Sequence, residues 1–263
     1  MKSAKKVENH SVNWLNTYAQ DSAMKGFVVG ISGGIDSAVT STLCAKTGCD
    51  VLCLEMPILQ EARQDSRAKD HISWLKKNFP NVSSTRLGLD QVFSSFKDLL
   101  PATEDKEAQF LSLANTRARL RMTSLYYFAA LHGYLVAGTG NKVEDFGVGF
   151  YTKYGDGGVD LSPIADLNKT QVFALGKTLG IIESIQKAAP TDGLWGDDRT
   201  DEDQLGATYP ELEWAMDAHK NNSPIDQFSN REKTVYELYT KLHQQNQHKM
   251  NPIPVCLIPE AYL

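Results

Sequence analysis

The chain has 263 residues, of which 41% are hydrophobic and 22% charged, a composition typical of a soluble α/β protein. Its formal net charge of −5 argues against an extended nucleic-acid-binding surface, which needs clustered Lys and Arg. No run of roughly 20 apolar residues is present, so the sequence predicts no membrane span. The four cysteines lack C-x-x-C spacing and no apolar signal core follows the basic N-terminus, so we expect free thiols and a cytoplasmic location.

Strand-like and helix-like patterns alternate through the first half of the chain. The predicted elements are a helix over 7–24, a strand over 26–31, a helix over 37–47, a strand over 50–56, a helix over 61–78, a strand over 82–89, helices over 90–99 and 105–132, and a strand over 134–139. This alternation predicts a doubly wound, mainly parallel sheet flanked by helices on both faces. Ligands of such sheets bind at the carboxyl ends of the strands.

The second half is less regular. Two stretches rich in Gly and charged residues, 147–166 and 190–206, read as binding loops or lids. Helices are predicted over 168–180, 208–220 and 230–248. Because no repeat or linker is visible, we expect a single domain over 1–263.

The first predicted strand is followed by a loop that is suited to phosphate. Its residues are Ser32-Gly33-Gly34-Ile35-Asp36-Ser37, at the start of a predicted helix. Two glycines allow close backbone approach, and the helix N-terminus and hydroxyl groups favour an anion. Asp36 beside a phosphate makes sense if Mg²⁺ lies between them. The loop is not a Walker A motif, since no Lys follows the second glycine, and the alternative is an ordinary Gly-rich turn with a helix cap.

A second carboxylate follows the last predicted strand. Glu144 ends the run Gly138 to Glu144, in which Val143 occupies the third glycine position of a dinucleotide fingerprint. Glu144 could share Mg²⁺ with Asp36. The alternative is an acidic residue that stabilises a helix N-terminus.

Lys153 and Asp156 lie on the Gly-rich stretch and could meet a reacting centre from two sides. Taken alone, this stretch is better explained as a solvated turn that uses the Asp-Gly dipeptide. Beside a phosphate loop, the combination favours catalysis.

The long helix and the helix after residue 168 offer further polar positions. Asn115 and Arg119 are four residues apart and share a face with Tyr126, which could bind a charged ligand, although a basic helix surface is the usual explanation. Lys169 near a helix start hints at an anionic partner such as phosphate, the alternative being an exposed lysine. The histidines lack zinc-ligand spacing.

Together these motifs identify a resemblance. The segments that carry it are Phe27 to Ser37, Asn115 to Met122, Gly138 to Glu144, Phe150 to Asp160 and Thr200 to Gly206. The chain resembles the short, ammonia-dependent NAD synthetases of the ATP pyrophosphatase superfamily. The resemblance implies an adenine nucleotide alpha hydrolase-like fold and a homodimer.

It also implies a reaction, the final step of NAD biosynthesis. The carboxylate of nicotinic acid adenine dinucleotide attacks the α-phosphorus of ATP, pyrophosphate leaves, and ammonia then displaces AMP to give NAD. ATP, this dinucleotide and ammonia are the implied partners, and Mg²⁺ is the implied cofactor. A chain of 263 residues leaves no room for a glutaminase domain, so ammonia is expected as the nitrogen source.

The resemblance further implies roles for individual residues. ATP contacts are implied for Ser32, Gly33, Gly34, Asp36, Ser37, Thr139, Lys169 and Thr191. Dinucleotide contacts are implied for Tyr18, Asn115, Arg119, Tyr126, Lys153, Asp160, Glu202 and His248. Asp36 and Glu144 would bind Mg²⁺, Asp156 would orient or deprotonate ammonia, and Lys153 would stabilise the adenylate.

Two alternatives stay open. One is another adenylating amidotransferase of the same superfamily, such as the ATP pyrophosphatase half of GMP synthetase. The other is a nucleotide-binding regulator without catalysis, which would have no need for a second carboxylate and a base.

Overall fold

The computed structural model describes residues 1–59, 62–190 and 200–263. Its sheet has four parallel strands in the order β3-β2-β1-β4. The strands are β1 Gly26–Gly30, β2 Asp50–Glu55, β3 Val82–Arg86 and β4 Tyr134–Val136. An isolated parallel bridge between Ala137 and Leu161 continues the edge beyond β4.

Ten α-helices lie in the described part of the chain. They are α1 Ala4–Asp21, α2 Ile35–Lys46, α3 Ala62–Asn78, α4 Asp90–Asp98, α5 Lys106–His132, α6 Lys169–Leu179, α7 Glu183–Gln186, α8 Asp201–Leu205, α9 Tyr209–Lys220 and α10 Asn230–Met250. A π-helical turn spans Lys142–Val148, and short 3₁₀ turns span Ile225–Gln227 and Glu260–Tyr262. Among these described helices, none combines the length and apolar character needed to cross a membrane.

Both faces of the sheet are covered, as alternation along β1 requires. Phe27 and Val29 are fully buried in a cluster with side chains of α1, α2, α3 and α6. Val28, between them, is buried on the other face with side chains of α4 and α5. Successive strand residues point to opposite faces, so strands buried on both sides read as continuous apolar runs. The predicted doubly wound α/β fold is confirmed, and the four strands are all parallel.

A third apolar cluster joins the π-helical turn to α8, α9 and α10. Val143 and Val148 of the turn pack with Leu212 of α9 and Tyr239 of α10. Because the turn follows β4, this cluster anchors the C-terminal helices at the carboxyl end of the sheet. Those helices thereby supply one wall of the site described below.

The main differences from the sequence prediction concern short elements. The last strand ends at Val136 because Gly138 leaves the ladder and its N–H donates to the Leu161 carbonyl. The third strand likewise ends at Arg86, before the predicted end at 89. The π-helical turn, α7 and α8 are four to seven residues long, too short to show a helical period. The single-domain interpretation of residues 1–263 stays a prediction.

Candidate active site

The Ser32–Ser37 loop lies at the carboxyl end of β1 and leads into α2, as predicted. The Ser37 hydroxyl donates to the Gly34 carbonyl at 3.0 Å and accepts the Ser32 N–H at 3.3 Å. Gly33 has a φ of +83°, a left-handed conformation that favours glycine. Gly34, which precedes α2, has no side chain to cap the amides of the first turn. The loop is thus folded on itself with a helix N-terminus behind it, a geometry that suits phosphate.

A cavity of about 160 Å³, here called the central cavity, opens beside this loop. Side chains from β1–α2, the turn after β4, the 150–160 loop and α6 line it. The predicted residues among its lining are Ser32, Gly34, Asp36, Ser37, Thr139, Glu144, Asp156 and Lys169. The structure therefore gathers most of the predicted ATP, metal and ammonia positions in one place.

Lys169 joins the two carboxylates predicted to bind metal. Its Nζ lies 2.6 Å from Asp36 Oδ2 and 2.8 Å from Glu144 Oε1, and its side chain is only 4% exposed. A capping box between Asn168 and Gln171 begins α6 and places Lys169 at the first helical position. The anionic partners that the sequence suggested for Lys169 are, in this structure, two carboxylates.

Burial and charge act against each other in this group. Burial raises the pKa of Asp36, the Glu144 charge adds to the rise, and Lys169 opposes it. Burial also acts to raise the pKa of Glu144, but Lys169 and the Tyr209 hydroxyl bring it below its ordinary value. For Lys169 burial alone would lower the pKa, yet the two carboxylates raise it above its ordinary value. The ammonium therefore stays charged at this position.

Tyr209, which sequence reasoning missed, completes what we call the buried centre: Asp36, Glu144, Lys169 and Tyr209. Its hydroxyl donates to Glu144 Oε1 and also lies 3.2 Å from Asp201 Oδ2. Its ring centroid is 4.9 Å from Lys169 Nζ, within cation–π range. Tyr209 begins α9 just after the Thr200 to Gly206 segment, and only that proximity hinted at a role.

Asp145 was also missed, although it directly follows Glu144. It lines the central cavity, and burial, together with the charges of Glu144, Asp156 and Asp36, raises its pKa well above the ordinary value. A Cβ at Gly140 would lie 1.8 Å from Asp145 Oδ2, so a larger residue at position 140 would displace the Asp145 carboxylate. This contact gives Gly140 a packing role.

Asp156 faces the central cavity from the 150–160 loop. Its Oδ1 accepts the Thr152 N–H at 2.9 Å, which fixes the carboxylate. The carboxylate is open to water, yet enough protein surrounds it that desolvation raises its pKa; the Thr152 amide opposes that rise and Glu144 adds to it. A carboxylate with a raised pKa is a better proton acceptor than an ordinary one.

Lys153, in contrast, does not line the central cavity. Its Nζ donates to the His248 carbonyl at 2.5 Å, and its own carbonyl accepts Arg119 Nη2 at 3.3 Å. In this arrangement Lys153 bonds outward to α10, so the expectation that Lys153 and Asp156 face one reacting centre stays a prediction. We call Arg119, Lys153, Asp160 and His248 the rim.

The predicted face of α5 contacts the 150–160 loop. Asn115 Oδ1 accepts the Thr152 hydroxyl at 2.7 Å, and the Tyr126 hydroxyl donates to Asp160 Oδ1 at 3.0 Å. Asp160 Oδ2 also accepts the Val136 N–H at 2.8 Å, which ties the loop to β4. Asn115, Arg119 and Tyr126 are thus brought together with the loop, and their dinucleotide contacts stay predictions.

Two predicted residues of the described part of the chain lie away from the central cavity, and a third lies outside that part. Tyr18 is 38% exposed on α1, on the face of the sheet opposite α5, with its ring beside Trp14. Glu202 Oε1 accepts the Tyr209 N–H at 2.8 Å and so supports the start of α9. Thr191 lies outside the described residues.

The donor chemistry of the buried centre fits a magnesium ion. Asp36 and Glu144 each place one oxygen against the same cation, the Lys169 ammonium. Mg²⁺ also binds through one or two carboxylates and keeps water and phosphate as its other ligands. Within residues 1–59, 62–190 and 200–263, no group of three or more His, Cys, Asp and Glu is arranged to hold a metal. The remaining ligands would therefore come from phosphate and water.

Comparisons with known proteins agree with the geometry. The sequence profile of the NAD synthase family matches residues 7–253. The NH(3)-dependent NAD(+) synthetase of Carboxydothermus hydrogenoformans is 36% identical over 239 residues, covering 90% of this chain and 91% of that protein.

Solved structures show the same fold. The NMN synthetase of Francisella tularensis has a TM-score of 0.82 at 32% identity, covering 98% of this chain and 99% of that one. The NH3-dependent NAD synthetase of Campylobacter jejuni has a TM-score of 0.78 at 24% identity, covering 97% and 99%. The chain belongs to the NAD synthase family.

Proposed function

We propose that this protein amidates nicotinic acid adenine dinucleotide to NAD, using ammonia and ATP and releasing AMP and pyrophosphate. The observation that carries the proposal is the central cavity, where the phosphate-suited loop, two adjacent carboxylates and Asp156 meet. The family match and the names of the relatives support the same chemistry.

The loop and the buried centre would bind ATP. Ser32, Gly33, Gly34 and Ser37 would hold the phosphates through hydroxyl and backbone N–H groups, with Thr139, Lys169 and Thr191 in contact. Asp36 and Glu144 would hold Mg²⁺, which when bound neutralises charge that develops on the leaving pyrophosphate.

The chain's own residues would then direct two substitutions. The substrate carboxylate attacks the α-phosphorus and pyrophosphate leaves, which gives an acyl adenylate. Ammonia attacks the acyl carbon, AMP leaves, and the displaced proton passes to Asp156. Ammonium, the main form at neutral pH, is not nucleophilic, so a carboxylate with a raised pKa such as Asp156 would accept its proton.

The dinucleotide would lie along α5 and the rim, with the Lys153 ammonium near the adenylate and Glu202 at the border of the site. Tyr18 could join it only from a second copy of the chain, since α1 and α5 cover opposite faces of the sheet. Exposed Leu111, Tyr127 and Leu131 on α5 support the proposed homodimer. The free thiols support a reducing, cytoplasmic location.

A second substrate is favoured by a specific similarity. The Francisella tularensis structure with a TM-score of 0.82 is called an NMN synthetase. The same two steps would convert nicotinic acid mononucleotide to its amide, without the adenylyl half of the dinucleotide.

One assay separates these proposals. Purified protein is given ATP, Mg²⁺ and an ammonium salt with either the dinucleotide or the mononucleotide, and AMP, pyrophosphate and amide are quantified by chromatography. We expect equal amounts of AMP, pyrophosphate and NAD, with the higher kcat/KM for the dinucleotide. A higher value for the mononucleotide would establish the second candidate, and ADP as product would refute both. Asp36→Asn serves as the inactive control.

A further inference from the structure

The Lys169 ammonium lies between two carboxylates in the way that a metal ion lies between its ligands. Its Nζ contacts Asp36 Oδ2 at 2.6 Å and Glu144 Oε1 at 2.8 Å, two oxygens brought together from different elements. The Tyr209 ring lies behind the ammonium at 4.9 Å. Two largely buried carboxylates side by side, 17% and 15% exposed, need a compensating charge, and Lys169 supplies it.

These contacts conflict with a divalent ion at the same oxygens. Mg²⁺ needs carboxylate oxygens at about 2.0–2.1 Å, so it would take the position now held by the ammonium. Turning Asp36 to offer its other oxygen would break the contact of Oδ1 with Asn141 Nδ2 at 3.2 Å. Glu144 Oε1 is in addition fixed by the Tyr209 hydroxyl. Lys169 therefore occupies the position in which one ion would bridge Asp36 Oδ2 and Glu144 Oε1.

We propose that Lys169 is the resident cation of the Asp36–Glu144 pair, and that a divalent cation replaces it only when nucleotide phosphates draw its ammonium away. The inference rests on the proposed function, since it needs ATP at the adjacent loop. A lysine suits this exchange, because its compact charge sits on a flexible stem that can move between two anionic partners. Metal and nucleotide would then bind together, and the buried pair would never be left without a cation.

Manganese binding to the purified protein tests this directly. Free Mn²⁺ is measured by electron paramagnetic resonance, without nucleotide and with an ATP analogue that carries a methylene group between the α and β phosphorus atoms. The Mn²⁺ that the analogue binds without protein is measured in parallel and subtracted. For the unmodified protein we expect weak binding alone and at least about tenfold tighter binding with the analogue. For Lys169→Met, we expect Mn²⁺ without nucleotide to bind at least about tenfold tighter than to the unmodified protein. Mn²⁺ should also raise the melting temperature of this variant.

Two further variants serve as controls. Lys142→Met removes an exposed ion pair, since Lys142 Nζ lies 2.8 Å from Asp166 Oδ1, and should leave Mn²⁺ binding unchanged. Lys169→Arg keeps the charge and should gain no binding without nucleotide.

The outcomes separate the inference from the proposed function. Tight Mn²⁺ binding by the unmodified protein without nucleotide would overturn the inference and leave the function standing, and this arm needs no variant to fold. A folded Lys169→Met that binds Mn²⁺ no better than the unmodified protein would overturn it as well. Failure to bind Mn²⁺ even with the analogue would contradict the proposed use of metal and ATP, and the inference with it.

Discussion

Lys169 and Lys153 both bring a positive charge to the carboxyl end of the sheet, in opposite environments. Lys169, in the buried centre, contacts two carboxylates and is 4% exposed. Lys153, on the rim, is half-buried and bonds to the His248 carbonyl, a neutral partner. Without nucleotide, the centre holds its opposite charges in direct contact. The Lys153 ammonium of the rim has only a neutral partner, which water or substrate can replace.

The difference follows from the cost of removing charges from water. A buried carboxylate that loses its partner pays a large desolvation penalty, so the members of the centre depend on one another. An exposed group that loses a partner is solvated again at little cost. We therefore expect the centre to determine the stability of the site and the rim to determine substrate binding.

Replacing each lysine by Met should give the largest contrast. Lys169→Met leaves two buried carboxylates uncompensated and should lower the free energy of unfolding by about 3–5 kcal/mol. Lys153→Met should lower it by less than about 1 kcal/mol. Urea unfolding of both variants measures the difference, and equal losses would remove the distinction between centre and rim.

Two carboxylates on the same loop test the distinction in catalysis. Asp156→Asn should slow amide formation by about 100-fold or more, because the proton acceptor is lost, while ATP–pyrophosphate exchange is affected less. Asp160→Asn, on the rim, should change the KM for the dinucleotide more than it changes the rate of amidation. Single-turnover measurement of pyrophosphate and NAD separates the steps, and equal loss of both in Asp156→Asn would argue against its role as base.

His71 extends the comparison to pH. It is fully buried beside Ser41 Oγ at 2.9 Å, and burial lowers its pKa from 6.5 to about 4. The unfolded chain gains a proton at this residue below pH 6.5 and the folded chain does not, so stability falls as pH drops from 6.5 towards 4. The loss should reach on the order of 3 kcal/mol. In His71→Gln, the free energy of unfolding measured with urea should lack this loss between pH 6.5 and 4. A variant whose stability falls with pH as steeply as that of the unmodified protein would contradict the assignment to His71.

Glu211, whose side chain is 30% exposed, provides the half-buried counterpart, with the smallest expected effect. Its hydrogen bonds with Arg231 and the Thr208 N–H lower its pKa from 4.5 to about 2. Stability from this group is present above pH 4.5 and is lost as pH falls through about 2, but solvent screens the pair. Glu211→Gln should therefore change the pH-dependent part of the free energy of unfolding several-fold less than His71→Gln does. A change as large as that of His71→Gln would show that exposure does not predict how much each group contributes to stability.

Local sequence patterns determined most of the fold and the phosphate loop. The four strands, the long helices and the turn from β1 into α2 each depend on residues close together in the chain, where apolar period and glycine position act directly. The grouping of Asp36 and Glu144 also followed from the rule that the carboxyl ends of parallel strands share an edge, whereas Asp156 was predicted from its Gly-rich loop.

Only the tertiary structure decided how the charges pair. Lys169 meets Asp36 across 133 residues and Glu144 across 25, and Lys153 bonds to the carbonyl of His248, 95 residues away. Tyr209 enters the centre because α9 packs on the turn after β4, and Asp145 lies against position 140 because glycine leaves it space. Such pairings depend on how distant elements pack and on which rotamer burial allows, and no local period encodes either one.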